Sequence, residues 1–339
     1  MDRVDVVIPA YNCKTHIQRC VESVLKQDYQ NKKIVVVDDF SKDGTASKLK
    51  RYPIKVIRNK NNEGLARTIN RGIRETNGRY ILVLQDDCEL KGKDWISNAV
   101  KHFKNKKVAG VSGLSYENPK NLSSADKLFR IVDGVWNKPE GVEEVPFVET
   151  RCALYDRKKM MGVGDFKQEF FTSGEDQSMC YELRAKGYVF LLDSKLKVEH
   201  KYGIHQGSLF KNLGHEFLYG ETAVQVFLKY ADTILKNVNF GSKTFDPRFK
   251  HRMATPLFVS SLVASSLLTA LNPAIGIVIT LFLLSARIAY YLHMGLKNLR
   301  IIGVKNLLPL ILVGLAIDFS YTLGCIKGIL HQSVKRMSF

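Results

Sequence analysis

Tyr80-Ile81-Leu82-Val83-Leu84-Gln85-Asp86-Asp87 decides the fold. Apolar residues run straight into an amide and a pair of acids, the pattern of a strand buried on both faces that ends at a polar edge. In open α/β sheets, the carboxyl ends of parallel strands face the crevice where ligands bind. Adjacent carboxylates placed there can hold Mg2+ or Mn2+ through oxygen ligands, and the cation then neutralises a diphosphate. Taken in isolation the triplet is equally a strand followed by an acidic turn, because Asp is a common turn residue. The sequence on either side separates the two readings.

Residues 4–114 alternate short β-branched runs with segments of helical spacing. The strand patterns are Val4–Ile8, Lys33–Val37, Ile54–Ile57, Tyr80–Leu84 and Val108–Val111. Between them, His16–Lys26, Thr45–Arg51, Leu65–Glu75 and Asp94–Phe103 have helical spacing. This βαβ rhythm predicts an α/β domain whose mostly parallel sheet is covered on both faces. Residues 115–206 are less regular, with a helix over Gln177–Lys186 and strands at Tyr188–Leu192 and Leu196–Glu199. Leu209–Leu235 is a long helical stretch with Phe210, Leu213, Phe217, Phe227 and Leu228, flanked by Lys211, Lys229 and Lys236. It suits a membrane surface or an ordinary docking role equally.

The chain has 339 residues and a formal net charge of +18, from 51 basic and 33 acidic side chains. Residues 237–339 carry 11 basic and 2 acidic residues, so their +9 is half of that excess. Basic residues so placed flank membrane segments and meet anionic headgroups. No zinc finger, helix-turn-helix or aromatic-basic pattern supports a nucleic-acid partner. Three apolar stretches follow, Thr255–Leu271, Ala274–His293 and Leu307–Leu330, with Asn272-Pro273 as a tight turn between the first two. Crossing a hydrocarbon core takes about 20 residues, so two or three crossings are expected. Three full crossings would put one basic flank on the wrong side, whereas two crossings with a re-entrant piece would not. Arg287 and Asp318 lie within these runs, where charge is costly. They meet each other or a lipid phosphate, or Arg287 snorkels to the interface. Cys13, Cys20, Cys88, Cys152, Cys180 and Cys325 form no CxxC pair, which predicts a reduced chain with neither a disulfide framework nor a zinc site.

Four further constellations join the opening triplet. Pro9-Ala10-Tyr11-Asn12 follows the first strand and sets an aromatic ring and an amide at the sheet's carboxyl edge. Val35-Val36-Val37-Asp38-Asp39-Phe40-Ser41-Lys42-Asp43-Gly44-Thr45 follows the second in the same way. An Asp at such a strand end can accept hydrogen bonds from a base or ribose, and Tyr11 can stack on the base. A helix cap at Ser41 or Asp43 explains Asp43-Gly44 but not the tandem acids. Asn62-Glu63-Gly64-Leu65-Ala66-Arg67-Thr68-Ile69-Asn70 opens a helix and places Arg67 on its first turns, within reach of a phosphate or of Asp38. Far downstream, Gly174-Glu175-Asp176 begins a helix that continues to Lys186.

In this order, over residues 4 to about 220, the chain resembles the family 2 glycosyltransferases, inverting nucleotide-sugar-dependent enzymes of the GT-A fold. Val163-Gly164-Asp165-Phe166 is similar to that family's glycine-rich turn in altered form, and Ala185-Lys186-Gly187-Tyr188 closes the Glu-Asp helix. The triplet departs from the family pattern in having Gln85 at its first position. The resemblance implies that Tyr11 and Asp39 hold the nucleobase, with Pro9, Asn12, Asp38 and Arg67 in support and Asp86 near the ribose. It implies that Asp87 binds Mg2+ or Mn2+, with His200 (or His205) in the metal shell. Asp176, beside Glu175, is then the general base for an acceptor hydroxyl.

The expected organisation is a catalytic domain over 1–235, with its donor half about 1–115 and acceptor half about 116–235. A juxtamembrane linker over 236–254, membrane helices over 255–330 and a basic tail over 331–339 complete it. The expected activity is sugar transfer from a nucleotide-diphosphate sugar to a hydroxyl of a glycan acceptor borne on a polyprenyl lipid. UDP-sugar is the favoured donor and GDP-sugar the alternative. The membrane is the cell membrane, with the catalytic domain on the cytoplasmic side. A polyprenyl-phosphate sugar synthase is the second reading, and a non-catalytic nucleotide- or glycan-binding membrane protein the third. Processive cellulose- or hyaluronan-type synthesis is disfavoured because the family's QxxRW signature is missing.

Overall fold

The computed structural model describes residues 1–116, 122–132, 140–169, 174–200, 208–237 and 247–337. The chain divides into two compact units, one of residues 1–117, 138–202 and 229–244 and the other of residues 118–137, 203–228 and 245–339.

The first unit is built on a mixed nine-stranded sheet. Its elements begin with β1 (Val4–Ala10), α1 (Ile17–Leu25), β2 (Lys32–Asp38), α2 (Thr45–Leu49), β3 (Lys55–Arg58) and α3 (Leu65–Arg74). β4 (Tyr80–Leu84), β5 (Cys88–Leu90), α4 (Trp95–Lys101) and β6 (Val108–Tyr116) follow. Strands β3, β2, β1 and β4 lie side by side and parallel, as the βαβ rhythm requires. Alternate residues point to opposite faces. Val6, Ile8, Val36, Leu82 and Leu84 pack on one side with α1 and Trp95, and Val7, Ile81 and Val83 on the other with Ile69 and Ile73 of α3. Both faces are therefore buried, which is why these strands read as unbroken apolar runs. Gly72 lets α3 lie this close, since a Cβ there would meet Val7 at 2.4 Å.

The strands beyond β6 depart from the sequence expectation. α5 (Ser124–Val132) belongs to the second unit; β7 (Val142–Val145), β8 (Cys152–Asp156), α6 (Arg157–Met161), α7 (Glu175–Ala185) and β9 (Val189–His200) return to the first. β8 inserts antiparallel between β4 and β6. The two strands expected at Tyr188–Leu192 and Leu196–Glu199 are one, β9, which runs parallel to β6. A register shift between Gly113 and Leu114 accommodates the polar Asp193-Ser194-Lys195 step that suggested a break. On its other side β9 pairs antiparallel with β7 over Phe190–Asp193 and with β5 over Val198–His200.

The second unit is helical: α5, the first part of α8 (Leu209–Asn237), α9 (Pro247–Leu271), α10 (Pro273–Lys297), α11 (Leu299–Ile302) and α12 (Leu307–Met337). Three helical segments, Ala254–Leu271, Pro273–Lys297 and Val304–His331, are long and apolar enough to cross a membrane. Helix α9 starts at Pro247, inside the stretch expected as a linker. The turn between α9 and α10 is the expected one: the Asn272 side chain accepts the Ile275 N–H at 3.3 Å, and Pro273 opens the helix. Helix α5 and the first part of α8, expected within the catalytic domain, group with these helices. Leu128, Phe129, Ile131 and Val132 of α5 share a core with Tyr291, Leu310 and Ile317. Ser123 starts α5 by accepting the Asp126 N–H at 3.1 Å and donating to the Asp126 carboxylate at 2.6 Å. The long helix α8 packs backbone to backbone on α12. A Cβ on Gly220 would fall 2.0 Å from the Tyr321 carbonyl oxygen, and one on Gly324 only 1.9 Å from that of Phe217. α8 loses helical geometry at Tyr230, where φ is −121°.

Of the readings open for the two intramembrane charges, the structure selects mutual pairing. Arg287 Nε donates to Asp318 Oδ2 at 2.8 Å, and its Nη2 donates to Asp318 Oδ1 and, at 2.9 Å, to Thr255 Oγ1. Thr255 and Tyr291 also donate to Asp318, at 2.9 and 2.7 Å. The guanidinium lies over Phe258, Tyr290 and Tyr291, with its carbon 5.1–5.2 Å from each ring centroid. One ion pair thus ties α9, α10 and α12 together.

Candidate active site

The carboxyl ends of β1, β2 and β4 come level, with Ala10 beside Asp38 and Val7 beside Val83. The loops that leave them are stitched to one another. Asn12, with φ of 48°, donates its N–H to Ser41 Oγ and accepts the Lys42 N–H on Oδ1, both at 2.9 Å. Lys14 N–H bonds the Asp43 carboxylate at 2.9 Å. Pro9 lies within β1, and Tyr11 stands 46% exposed at the rim, its ring accessible for stacking. Its N–H donates to Asp86 Oδ2 at 3.3 Å.

Asp38 and Asp39 are both buried, and their partners differ from the expected ones. Asp38 Oδ1 accepts the Ser41 N–H at 3.0 Å, and Arg58 Nε lies 3.4 Å from Oδ2. Arg67 is exposed on the first turn of α3, and the guanidinium beside Asp38 is that of Arg58 at the end of β3. Asp39 receives three bonds: Asn59 Nδ2 at 2.7 Å and the backbone N–H groups of Glu63 and Gly64 at 2.9 Å each. Gly64 takes φ of 84°, a conformation that favours glycine, and so turns its N–H onto the carboxylate. Asp39 therefore anchors the loop that launches α3, with about one of its four acceptor positions left for a ligand. Further along α3, Asn70 exchanges hydrogen bonds of 2.8 and 2.9 Å with the backbone of Phe166, fixing the glycine-containing turn.

The two acids after β4 diverge. Asp86 turns toward Tyr11, Cys13 and His16, whose Nε2 lies 3.8 Å from Asp86 Oδ1. Asp87 turns toward β9, where His200 Nε2 lies 3.0 Å from Asp87 Oδ2. His200 is placed there by the antiparallel pairing that sets it opposite Cys88. A carboxylate and an imidazole converging at this distance suit Mg2+ or Mn2+, whose remaining positions water and phosphate oxygens can fill. Cys88 is also adjacent, and its thiol donates to Asp87 Oδ1 at 3.5 Å. Burial, then the neighbouring Asp87, push that thiol well above its usual range. His205 and residues 170–173 lie outside the described residues.

Strand β8 joins this edge to the second pair of acids. Gln85 N–H donates to the Arg151 carbonyl at 2.9 Å, and Thr150 Oγ1 donates to Glu175 Oε1 at 2.8 Å. Gly174, at φ of 98°, turns the chain into α7, so Glu175 and Asp176 occupy its first turn. Glu175 is buried; Asp176 is partly exposed, and its carboxylate accepts the Gln177 N–H at 2.7 Å. Burial raises the Glu175 carboxyl above its ordinary value. Asp176 is raised well above the usual range, first by burial and then by repulsion from Glu175 and Glu149. A carboxyl raised in this way can accept a proton as a general base once it is ionised.

A family model described as glycosyl transferase family 2 matches residues 5–163. The chain is 30% identical over 227 residues to the UDP-Glc:alpha-D-GlcNAc-diphosphoundecaprenol beta-1,3-glucosyltransferase WfaP of Escherichia coli, covering 64% of this chain and 84% of that one. It belongs to glycosyl transferase family 2. The family 2 chain is also 32% identical over 118 residues to the glycosyltransferase GlyG of Streptococcus pneumoniae, covering 33% of this chain and 39% of that protein. Among solved structures it is similar to the mannosyltransferase PcManGT from Pyrobaculum calidifontis in complex with GDP-Man and Mn2+, with a TM-score of 0.60 at 18% identity over 96% of this chain and 87% of that one. It is similar as well to GalNAc-T7 with UDP, GalNAc and Mn2+, with a TM-score of 0.50 at 18% identity over 75% of this chain and 54% of that one. The fold is GT-A, and this family 2 protein is a glycosyltransferase with apolar C-terminal helices.

Arg58, Asn59, Thr150 and Arg151 escaped the sequence reading. Asn59 lay three residues before a motif that was read, and its spacing from Asp39 was a usable signal. Thr150 and Arg151 carried none, because their importance comes from β8 entering the sheet beside β4.

Proposed function

We propose that the protein transfers a sugar from a nucleotide-diphosphate sugar to a hydroxyl of a lipid-linked glycan at the cytoplasmic face of the cell membrane, with inversion at the anomeric carbon. The observation that carries this reading is the 3.0 Å approach of Asp87 and His200, on an edge that β8 connects to the Glu175-Asp176 helix start. Tyr11 stacks on the base, with Pro9, Asn12, Asp38 and Asp39 shaping its seat and Arg67 facing phosphate. Asp86 takes the ribose. Asp87 and His200 would hold Mg2+ or Mn2+, which supplies positive charge to the leaving diphosphate. PcManGT and GalNAc-T7 were solved with Mn2+ and nucleotide ligands, which supports that assignment. WfaP, named for a UDP-Glc donor and a diphosphoundecaprenol-linked acceptor, supports UDP-sugar and a lipid-borne glycan over GDP-sugar and a soluble acceptor.

Asp176 accepts the acceptor hydroxyl's proton as the oxygen attacks the anomeric carbon and the diphosphate departs from the opposite face. One displacement with one base inverts the centre, through an oxocarbenium-like state such as that of glycoside hydrolysis. Burial, and after it repulsion from Glu175 and Glu149, keeps Asp176 basic. A polyprenyl-phosphate acceptor is already ionised and needs no base, so the elevated Asp176 favours a hydroxyl acceptor. Incubating the detergent-solubilised protein with a panel of UDP- and GDP-sugars and undecaprenyl-diphosphate-linked GlcNAc, with mass spectrometry of the lipid, tests the proposal. A lipid product one hexose heavier is expected. Transfer only to polyprenyl phosphate would replace it with the synthase reading, and tight nucleotide binding without transfer with the non-catalytic one.

A further inference from the structure

Asp86 sits in a second group of metal-ligating atoms. Cys13 Sγ, His16 Nε2 and an Asp86 carboxylate oxygen all lie within 4.8 Å of one another. Cys13 and His16 are buried, and Asp86 opens toward the sheet edge. Local structure holds the first two in place. The Cys13 N–H donates to Thr45 Oγ1 at 2.9 Å, and the Cys13 carbonyl accepts from the N–H groups of His16 and Ile17 at 3.0 and 2.9 Å. This turn enters α1 and brings two side chains three residues apart to one side, as in a Cys-x-x-His pair. His16 Nδ1 lies 3.0 Å from Thr15 Oγ1. With that hydroxyl as acceptor, the ring presents the Nε2 lone pair toward Asp86, the outer arrangement that metal-bound imidazoles use.

We propose that Cys13, His16 and Asp86 form a site for a thiophilic divalent cation of the Zn2+ class, separate from the Asp87–His200 pair. One sulfur, one imidazole nitrogen and one carboxylate oxygen make a three-ligand set with a fourth position open to the cleft, which suits tetrahedral Zn2+ and not six-coordinate Mg2+. The present separations, up to 4.8 Å, exceed those around a bound zinc by at most about 1.5 Å, given ligand bonds of about 2.0–2.3 Å. The Asp86 side chain, which meets solvent, can make that shift. Occupancy draws Asp86 inward, away from the Tyr11 N–H. Cysteine spacing alone hides such a site, because its third member is supplied 70 positions after His16 by the end of β4. The Asp87–Cys88–His200 group has its thiol on the residue adjoining the carboxylate and buried in β5, a poorer chelate for the same ion.

Co2+ titration of the metal-stripped full chain in detergent tests the site by absorbance. A thiolate-to-cobalt charge-transfer band is expected to saturate at one equivalent and to bleach when Zn2+ is added. The band persists in Cys88→Ser and His200→Ala, disappears in Cys13→Ser, and requires at least about tenfold more Co2+ in His16→Gln or Asp86→Asn. Far-UV circular dichroism establishes that each variant is folded; should Cys13→Ser not fold, Cys13→Ala and His16→Gln carry the comparison. Absence of a band in the wild type, its loss in Cys88→Ser, or its survival without Cys13 or with unchanged affinity in His16→Gln would each overturn the proposal.

Discussion

Removing Asp318 should destabilise the helical unit more than any other single polar truncation in it. Asp318 is buried and accepts from Arg287, Thr255 and Tyr291 across three helices. In Asp318→Ala the guanidinium stays behind with its main counter-charge gone, and breaking a buried pair this way costs about 3–5 kcal/mol. Hydrogen bonds between membrane helices average only about 0.6 kcal/mol each, so the bonds from Thr255 and Tyr291 add about 1 kcal/mol together. The expected loss is therefore about 4–6 kcal/mol in all, dominated by the charge. Two controls follow. Thr255→Ala should cost about 1 kcal/mol or less. Arg287→Met combined with Asp318→Leu should cost less than Asp318→Ala alone, because no charge is left buried. Reversible unfolding of the solubilised full chain by sodium dodecyl sulfate, followed by helical circular dichroism, measures all four proteins. A loss under about 1 kcal/mol in Asp318→Ala, or a double variant no more stable than Asp318→Ala, would refute the reasoning.

Further outcomes are expected. Asp176→Asn abolishes transfer while leaving donor affinity nearly unchanged by calorimetry. The same change should raise the thermal midpoint at neutral pH, since a carboxyl whose folded pKa is raised costs stability wherever it is ionised; the gain should shrink as pH falls and the wild-type group protonates. Wild-type turnover should also fall on the acid side at a pH above the ordinary aspartate range, because the ionised form is the base. Asp87→Ala should weaken metal-dependent donor binding at least about tenfold, by analogy with outer ligands worth 10–100-fold, and chelation by EDTA should stop transfer. Gly324→Ala forces α8 from α12, because the new methyl would lie 1.9 Å from a carbonyl oxygen; a loss of about 1–3 kcal/mol is expected in the same unfolding assay.

How far the fold could be read depended on how each element is stabilised. β1, β2 and β4 are buried on both faces, largely by neighbours close in sequence, and β4 falls at Tyr80–Leu84 as expected. β5, β7 and β8 were not foreseen. They have three to five residues each and owe their strand state to antiparallel partners far along the chain. The acids at the ends of β2 and β4 stood out because tandem carboxylates after an apolar run are rarely neutral packing. The partners of those acids did not stand out. Nothing in the sequence marks Arg58 as the partner of Asp38, because the contact depends on β3 pairing in parallel with β2. The Asp87–His200 meeting was expected from family resemblance, and only the pairing of β5 with β9 supplies its physical cause.

The position of β8 bears on how this protein could be divided. Because it is hydrogen-bonded to β4 on one side and β6 on the other, residues 1–116 on their own would expose the flank of β4 as an open, wholly apolar rim. A fragment ending there would be prone to pair with copies of itself and precipitate. The strand ends that carry Asp38, Asp86 and Asp87 and the β8 segment beside them are consequently tied into one folding unit, and residues 1–116 are not a transplantable module.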